Sequence, residues 1–322
     1  MGRQNRTALV FLILLMAIGP WVIGTHSYWI NVFVFAGLHA LIAIGLSLLM
    51  GYAGQISLGH GGFFGLGAYI SGLLATLLHW NPWFSLLASL ALTALAALLI
   101  GIPSLRLRGH YLAMATLAFG EIVVITFNAE VNLTGGPSGF GQIPRLSLGG
   151  LSLKDDLVFY YFVWSLVILV LAGSLNLIHS RVGRALRSIH GGETAANAMG
   201  INTASYKVQV FVLSAVLAAL AGGLYAHYVT FVSPTICEIK FSVILVVMVA
   251  VGGMTSVWGA LLGAIGLTIL PEFLTVFEDM DILVYGMILM LIMIFAPGGL
   301  FGWIVNGSGW IRRRTAGRVR TG

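Results

Sequence analysis

The sequence predicts an all-α, polytopic membrane bundle of about ten spans (eight to ten), and three observations carry that prediction. Charged residues are 8% of the 322-residue chain, against about 25% in ordinary soluble domains. Hydrophobic residues make up 59%, and the mean hydropathy is +1.00. Apolar runs recur along the chain at about 20 residues, the length a helix needs to cross a bilayer. A soluble fold of this size needs a polar shell, and 16 basic plus 10 acidic side chains cannot supply one. Disordered, disulfide-scaffold and cytosolic-enzyme classes are thereby excluded, and the single Cys237 can form no intrachain bridge.

The first run, 8–24, follows Arg3 and Arg6 and lacks a small-residue cleavage site, so it reads as a retained span rather than a removed leader. The next runs lie at 29–50, 59–79, 83–103, 110–129, 157–179, 207–231, 241–254, 257–276 and 282–304. They are apolar all round, as buried or lipid-facing helices require, and the alternating strands of a membrane barrel are absent. The run at 241–254 is short, which leaves a full crossing and a half-helix both open. Placing the N-terminus in the cytoplasm puts 13 of the 16 Lys and Arg on that side, including Arg106, Arg108, Arg181, Arg184, Arg187, Lys207 and five in the C-terminal tail. Arg145, Lys154 and Lys240 fall outside, with seven of the ten acidic residues. Both termini are therefore expected in the cytoplasm. The chain divides into an N-terminal segment with the first span (1–28), a core (29–304) containing a cytoplasmic stretch at 180–206, and a basic tail (305–322). Anionic headgroups account for the tail without nucleic acid.

No recognisable chemistry of bond-breaking is present. No Gly-Lys pair exists, so there is no phosphate-binding loop, and any ATPase must be another chain. The eight histidines show neither H-E-x-x-H nor paired metal spacing, and no G-x-S-x-G elbow occurs. The expectation is a transport subunit rather than an enzyme, with no catalytic residues, no metal and no cofactor of its own.

The most unusual stretch is Gly51–Tyr69, with seven glycines in nineteen residues interrupting otherwise continuous membrane helix. Unpaired backbone is costly in hydrocarbon, so this segment must be buried in protein or face a watery path. Gly61-x-x-x-Gly65 permits close helix approach, which suits simple tight packing. A broken helix lining a translocation path suits it too, with Gln55, Ser57 and His60 as the polar groups. A second break, Gly252-Gly253-Met-Thr-Ser256 followed by Gly259-x-x-x-Gly263, lies in the other half and hints at an internal repeat. Glu121, in the middle of the fifth run, should have a partner, because a carboxylate there costs about 2.5–3.5 kcal/mol on insertion scales. It joins the candidate path residues; protonation or a bond to a neighbouring helix is the plainer account. Glu272, beside Pro271, reads as a structural group.

In 180–206, Val182, Leu186 and Ile189 fall on one helix face, with Arg181, Arg184 and Arg187 around the others. Gly191-Gly192 breaks that helix, and Glu193–Met199 forms a second one ended by Gly200 in the left-handed conformation. Such a helix lies on a membrane or docks into a soluble partner, and the residues alone do not choose.

Gly51–Tyr69 resembles the signature of bacterial branched-chain amino-acid ABC transporter permeases. Leu105–Ala113, Thr116–Ile122 and Thr134–Gly139 are similar to the family's M-type subunit rather than its H-type partner. Gly183–Arg187, Glu193–Ala196 and Gly200–Asn202 resemble its coupling region, and Ser233-Pro234 and Gly252-Gly253 continue the likeness, which covers roughly 30–300. The resemblance implies a multi-pass subunit of the bacterial inner membrane that pairs with an H-type permease, two cytoplasmic ATPase subunits that use ATP, and an external solute-binding protein. It places the ATPase contact at 183–202, with Arg184, Arg187, Glu193, Ala196 and Gly200 in it. Two departures stand out: His110 where the family usually has Asp, and His190-Gly-Gly192 in place of a more charged stretch. The solute implied is a branched-chain or related hydrophobic amino acid. Importers of urea or short amides use similar permeases; an autonomous channel or secondary transporter would need more intramembrane ionisable residues than Glu121.

Overall fold

The computed structural model describes residues 3–23, 27–105, 109–148, 151–152 and 155–274, with positions 286–287, 289–291, 294 and 299–302. The expected tenth span at 282–304, apart from those positions, and the basic tail 305–322 lie outside the described residues, as do Arg106, Arg108 and Lys154.

In chain order the helices are α1 (Arg3–Ile23), α2 (Ser27–Ser47), α3 (His60–Leu77), α4 (Pro82–Ser104), α5 (His110–Ala129) and the single turn α6 (Val131–Thr134). They continue with α7 (Asp156–His179), α8 (Arg181–Gly191), α9 (Glu193–Ala198), α10 (Thr203–Val229), α11 (Ile239–Gly252) and α12 (Val257–Leu274). Four two-residue strands, β1 (Phe140–Gly141), β2 (Ser147–Leu148), β3 (Leu151–Ser152) and β4 (Phe231–Val232), tie down one end of the bundle. β1 pairs antiparallel with β4, and β2 with β3.

Six described helices are long and apolar enough to cross a membrane: Tyr28–Tyr52, Pro82–Ser104, His110–Ala129, Asp156–His179, Thr203–Val229 and Val257–Leu274. Thr7–Pro20 and Ile239–Gly252 are shorter apolar helices. The chain is an integral membrane protein. At about 1.5 Å per residue, the 14 residues of α11 fall short of a 30 Å hydrocarbon core. Its first turn sits beside the first turn of α3, where the Gly61 N–H donates to Ser242 Oγ at 3.0 Å. α3 thus begins deep in the bundle, directly after the break that ends α2, whereas the first residues of α11, Ile239 and Lys240, are exposed.

Packing follows the pattern of apolarity. α2 is apolar on every side, and from Val34 to Leu49 nearly every side chain is buried, so it forms the centre against α7, α10, α11 and α12. α3 and α10 touch backbone to backbone, since a Cβ at Gly222 would overlap the Phe64 carbonyl oxygen. α1 is peripheral, held where Tyr160 of α7 donates its hydroxyl to the Met16 carbonyl at 3.2 Å. α4 and α5 turn Phe84, Leu87, Leu99, Met114, Ile122 and Ile125 outward, the surface that lipid or another subunit would cover. Asn81 starts α4 by accepting the Trp83 N–H at 3.0 Å, with Pro82 in the first turn where its missing N–H costs nothing.

Candidate functional site at a broken helix

α2 ends in a π-helical turn at Leu48–Tyr52, with the Ala53 N–H reaching the Leu48 carbonyl at 3.3 Å and the Gln55 N–H reaching Leu49 at 3.1 Å. The widening turn uncouples the helix, and Gly54, at φ +68°, redirects the chain. Residues 53–59 then run without helical bonding until α3. Two of their polar groups are bonded by neighbouring helices. The Leu58 N–H donates to Thr116 Oγ1 on α5 at 3.0 Å. Ser57 Oγ lies 3.1 Å from His60 Nδ1, and His60 Nε2 lies 2.6 Å from Ser214 Oγ on α10.

His60 is 1% exposed, as is Ser57. A neutral imidazole carries one donor and one acceptor, so one serine donates to the ring and the other accepts from it. The second buried histidine fixes its own tautomer. His227 Nδ1 faces the Pro144 carbonyl at 2.7 Å and must donate there, so Nε2 accepts from Ser71 Oγ at 2.8 Å.

Of the residues singled out from sequence, Ser57 and His60 come together in this buried group. Gln55 does not join them; it is half-buried and bonds the Ala53 carbonyl at 3.2 Å. Glu121 is half-buried on α5, and among the described residues no hydrogen bond or ion pair engages its carboxylate, so the partner expected for it is not found there. Sequence reasoning missed Ser214, Thr116 and Ser242. The signal of Ser214 and Ser242 was a hydroxyl in an otherwise apolar run, and Thr116 stood at the head of the Thr116–Ile122 motif without a role of its own. Cys237 lies in a short 3₁₀ turn, Pro234–Cys237, and its thiol donates to the Pro234 carbonyl at 3.1 Å. Burial pushes that thiol up to about 12, with Glu238 adding to the rise, so it stays protonated and unreactive. Among the described residues no group of three or more His, Cys, Asp or Glu side chains could hold a metal ion.

The two breaks meet. Ser47, at the end of α2, donates Oγ to the Met254 carbonyl at 3.1 Å, and a Cβ at Gly51 would overlap that same carbonyl oxygen. Met254 belongs to the turn between α11 and α12, where the Ser256 N–H bonds the Gly253 carbonyl at 3.1 Å.

α8 packs against this region from the arginine-rich end. Ser180 caps it by accepting the Val182 N–H at 3.1 Å. Leu186 and Ile189 are buried and Val182 is half-buried, whereas Arg181, Arg184 and Arg187 are exposed. Its last turn rests on the broken segment, since a Cβ at Gly54 would stand 3.2 Å from His190 Nδ1. α9 ends with Gly200 at φ +80°, the Gly200 N–H bonding Asn197 at 2.9 Å and the Ile201 N–H bonding Ala196 at 3.1 Å. That pair of bonds is a Schellman closure. Within α9, Ala196 is buried and Glu193 turns inward, where its Oε1 accepts from Lys207 Nζ at 3.1 Å. Arg184 and Arg187 face outward; Glu193 and Ala196 do not.

The sequence matches the family described as branched-chain amino acid transport system / permease component over residues 28–296. The chain belongs to that family. Across 92% of its length it is 31% identical to the high-affinity branched-chain amino acid transport system permease protein LivM of Escherichia coli, of which it covers 75%. It is 28% identical to the corresponding permease BraD of Pseudomonas aeruginosa, over 82% of this chain and 91% of the relative. It is 26% identical to the ribose import permease RbsC of Escherichia coli, over 82% and 83% respectively. No solved structure gives a significant match. Family members of this kind are transport subunits and not enzymes, and this chain is LivM-like.

Proposed function

We propose that this chain is the M-type permease subunit of an ABC importer for branched-chain or related hydrophobic amino acids, working in the bacterial inner membrane. It pairs with an H-type permease, takes its energy from two separate cytoplasmic ATP-binding subunits and receives solute from an external binding protein. Ten spans with both termini cytoplasmic fit the charge distribution, which puts α8 and α9 on the ATPase side. The observation that carries the reading is the seating of α8. Its arginines are exposed, its apolar face is buried, and its end abuts the broken segment at Gly54. A soluble partner bound to that exposed face would move α8, and the Gly54–His190 contact would carry the movement to residues 53–59 and their Ser57–His60–Ser214 group.

The solute class is favoured by the relatives LivM and BraD and by a cavity of about 490 Å³ between α2, α11 and α12. Phe35, Phe241, Ile244, Met248 and Leu267 line it, with Lys240 and Glu272 on its wall. An isobutyl side chain suits that lining. His39, Thr268, Lys240 and Glu272 on the same wall supply polar groups for the ammonium and carboxylate of an amino acid.

Uptake of labelled leucine, ribose and urea, compared in cells with and without the gene and again after ATP depletion, tests the proposal. Loss of ATP-dependent leucine uptake alone is expected. Loss of ribose or urea uptake instead would overturn the solute, and no change in a strain lacking other importers would overturn the function.

A further inference from the structure

Lys207 sits in the second turn of α10 with its side chain 2% exposed. Its Nζ donates to two acceptors on two other elements: Glu193 Oε1, at the first residue of α9, and the carbonyl of Leu105, the residue that closes α4, each at 3.1 Å. The Leu105 carbonyl is one of the last carbonyls of its helix, the group that a helix end leaves to be satisfied from outside. Thr203 adds a bond from the start of α10 to Asn197 Oδ1 on α9, at 3.0 Å. One ammonium therefore joins α9, α10 and α4 at the end of the bundle that carries α8.

A buried ion pair is a weak device for stability, because well-packed apolar residues in its place often do as well or better. What such a pair does well is fix one geometry between elements. α9 is also closed by its own Schellman bonds and seated on the buried Ala196.

Resting on the reading that α8 and α9 receive the ATPase, we infer that Lys207 and Glu193 are positioning residues, forming a strut that passes displacement of α9 to α4 and α10. Glu193 then acts from inside the permease and is not part of the surface presented to the ATPase. The role needs a donor that reaches both acceptors, so arginine can serve at position 207 and methionine cannot.

The test uses the whole transporter in proteoliposomes with its binding protein, and reads leucine taken up per ATP hydrolysed together with stimulation of hydrolysis by loaded binding protein. Lys207→Met and Glu193→Met should each keep the ATPase subunits bound while uptake per ATP falls about 5- to 150-fold, the range couplings between sites span. Lys207→Arg should restore it. Glu193 is 24% exposed, so Glu193→Met keeps the test open if Lys207→Met fails to assemble. Unchanged uptake per ATP in assembled Glu193→Met and Lys207→Met would overturn the strut. Wild-type transport indifferent to the ATPase would instead overturn the functional reading on which it rests.

Discussion

Ser214→Ala removes one hydroxyl from a site that water cannot reach. His60 Nε2 then loses its 2.6 Å partner on α10 while Nδ1 keeps Ser57. Two magnitudes compete. Interhelical hydrogen bonds in membranes average about 0.6 kcal/mol, with a maximum near 1.7, because the unfolded chain in lipid also finds partners. A buried polar atom left unsatisfied costs about 1–3 kcal/mol. At 1% exposure, His60 has no route to water, so the larger figure governs and a loss of about 1–2 kcal/mol is expected. Replacing both residues, as Ser214→Ala with His60→Phe, removes donor and acceptor together and should cost less than the sum of the single changes. The assay is a double-mutant cycle on the purified permease, unfolded by denaturing detergent in mixed micelles and followed by tryptophan fluorescence. An interaction of about 1 kcal/mol between the two positions is expected. A cycle that closes to within about 0.3 kcal/mol, the scatter of independent sites, would refute the reasoning, since residues that share a short hydrogen bond cannot be additive.

Gly222→Ala should lower the yield of folded protein, because its new methyl overlaps the Phe64 carbonyl of α3; overpacking costs about 1–3 kcal/mol, and size-exclusion chromatography of the solubilised protein would show it. Arg184→Glu with Arg187→Glu reverses two exposed charges on α8. Co-purification of the ATPase subunits should fall while membrane insertion, read by fractionation, is unchanged. Glu121→Gln tests whether that carboxylate meets a substrate ammonium group. Uptake should drop about 10- to 150-fold if a charged hydrogen bond worth about 1.5–3 kcal/mol is lost, and normal uptake at normal expression would assign Glu121 to structure.

Periodicity and glycine content made much of this legible. The apolar face of α8 follows from the spacing of Val182, Leu186 and Ile189, and the end of α9 from Gly200. The break at 51–59 and the shortness of α11 follow from glycine density and run length. Helix rotation was not legible. A span apolar all round does not declare which side faces a neighbour, so a lone serine such as Ser214 or Ser242 could not be matched with His60 or with the Gly61 N–H. Lys207 was read through topology, as one more positive charge on the cytoplasmic side, and its burial against Glu193 and Leu105 depends on three elements far apart in sequence. Glu193 illustrates the same limit. Its place in a cytoplasmic helix was readable, but its direction was not.

The contacts at the arginine-rich end also give the two chain breaks a common role. A helix-breaking glycine segment inside a membrane protein has to be supported from outside itself, because its own backbone supplies no ladder. Here each break supports the other: Met254, in the turn between α11 and α12, accepts from Ser47 and lies against Gly51. The same first break carries Gly54, on which the end of α8 rests. On the proposed coupling, a displacement entering at α8 would meet two irregular segments already in contact, and these deform more readily than hydrogen-bonded helix. On the inferred strut, α10 would take the other route, through Lys207. A movement shared by both routes would shift α3 and α10 together, because their backbones touch at Gly222 and their side chains at His60 and Ser214. That shared core is why Ser214→Ala, a change on α10 outside α8 and α9, belongs in the same experiments as the strut variants.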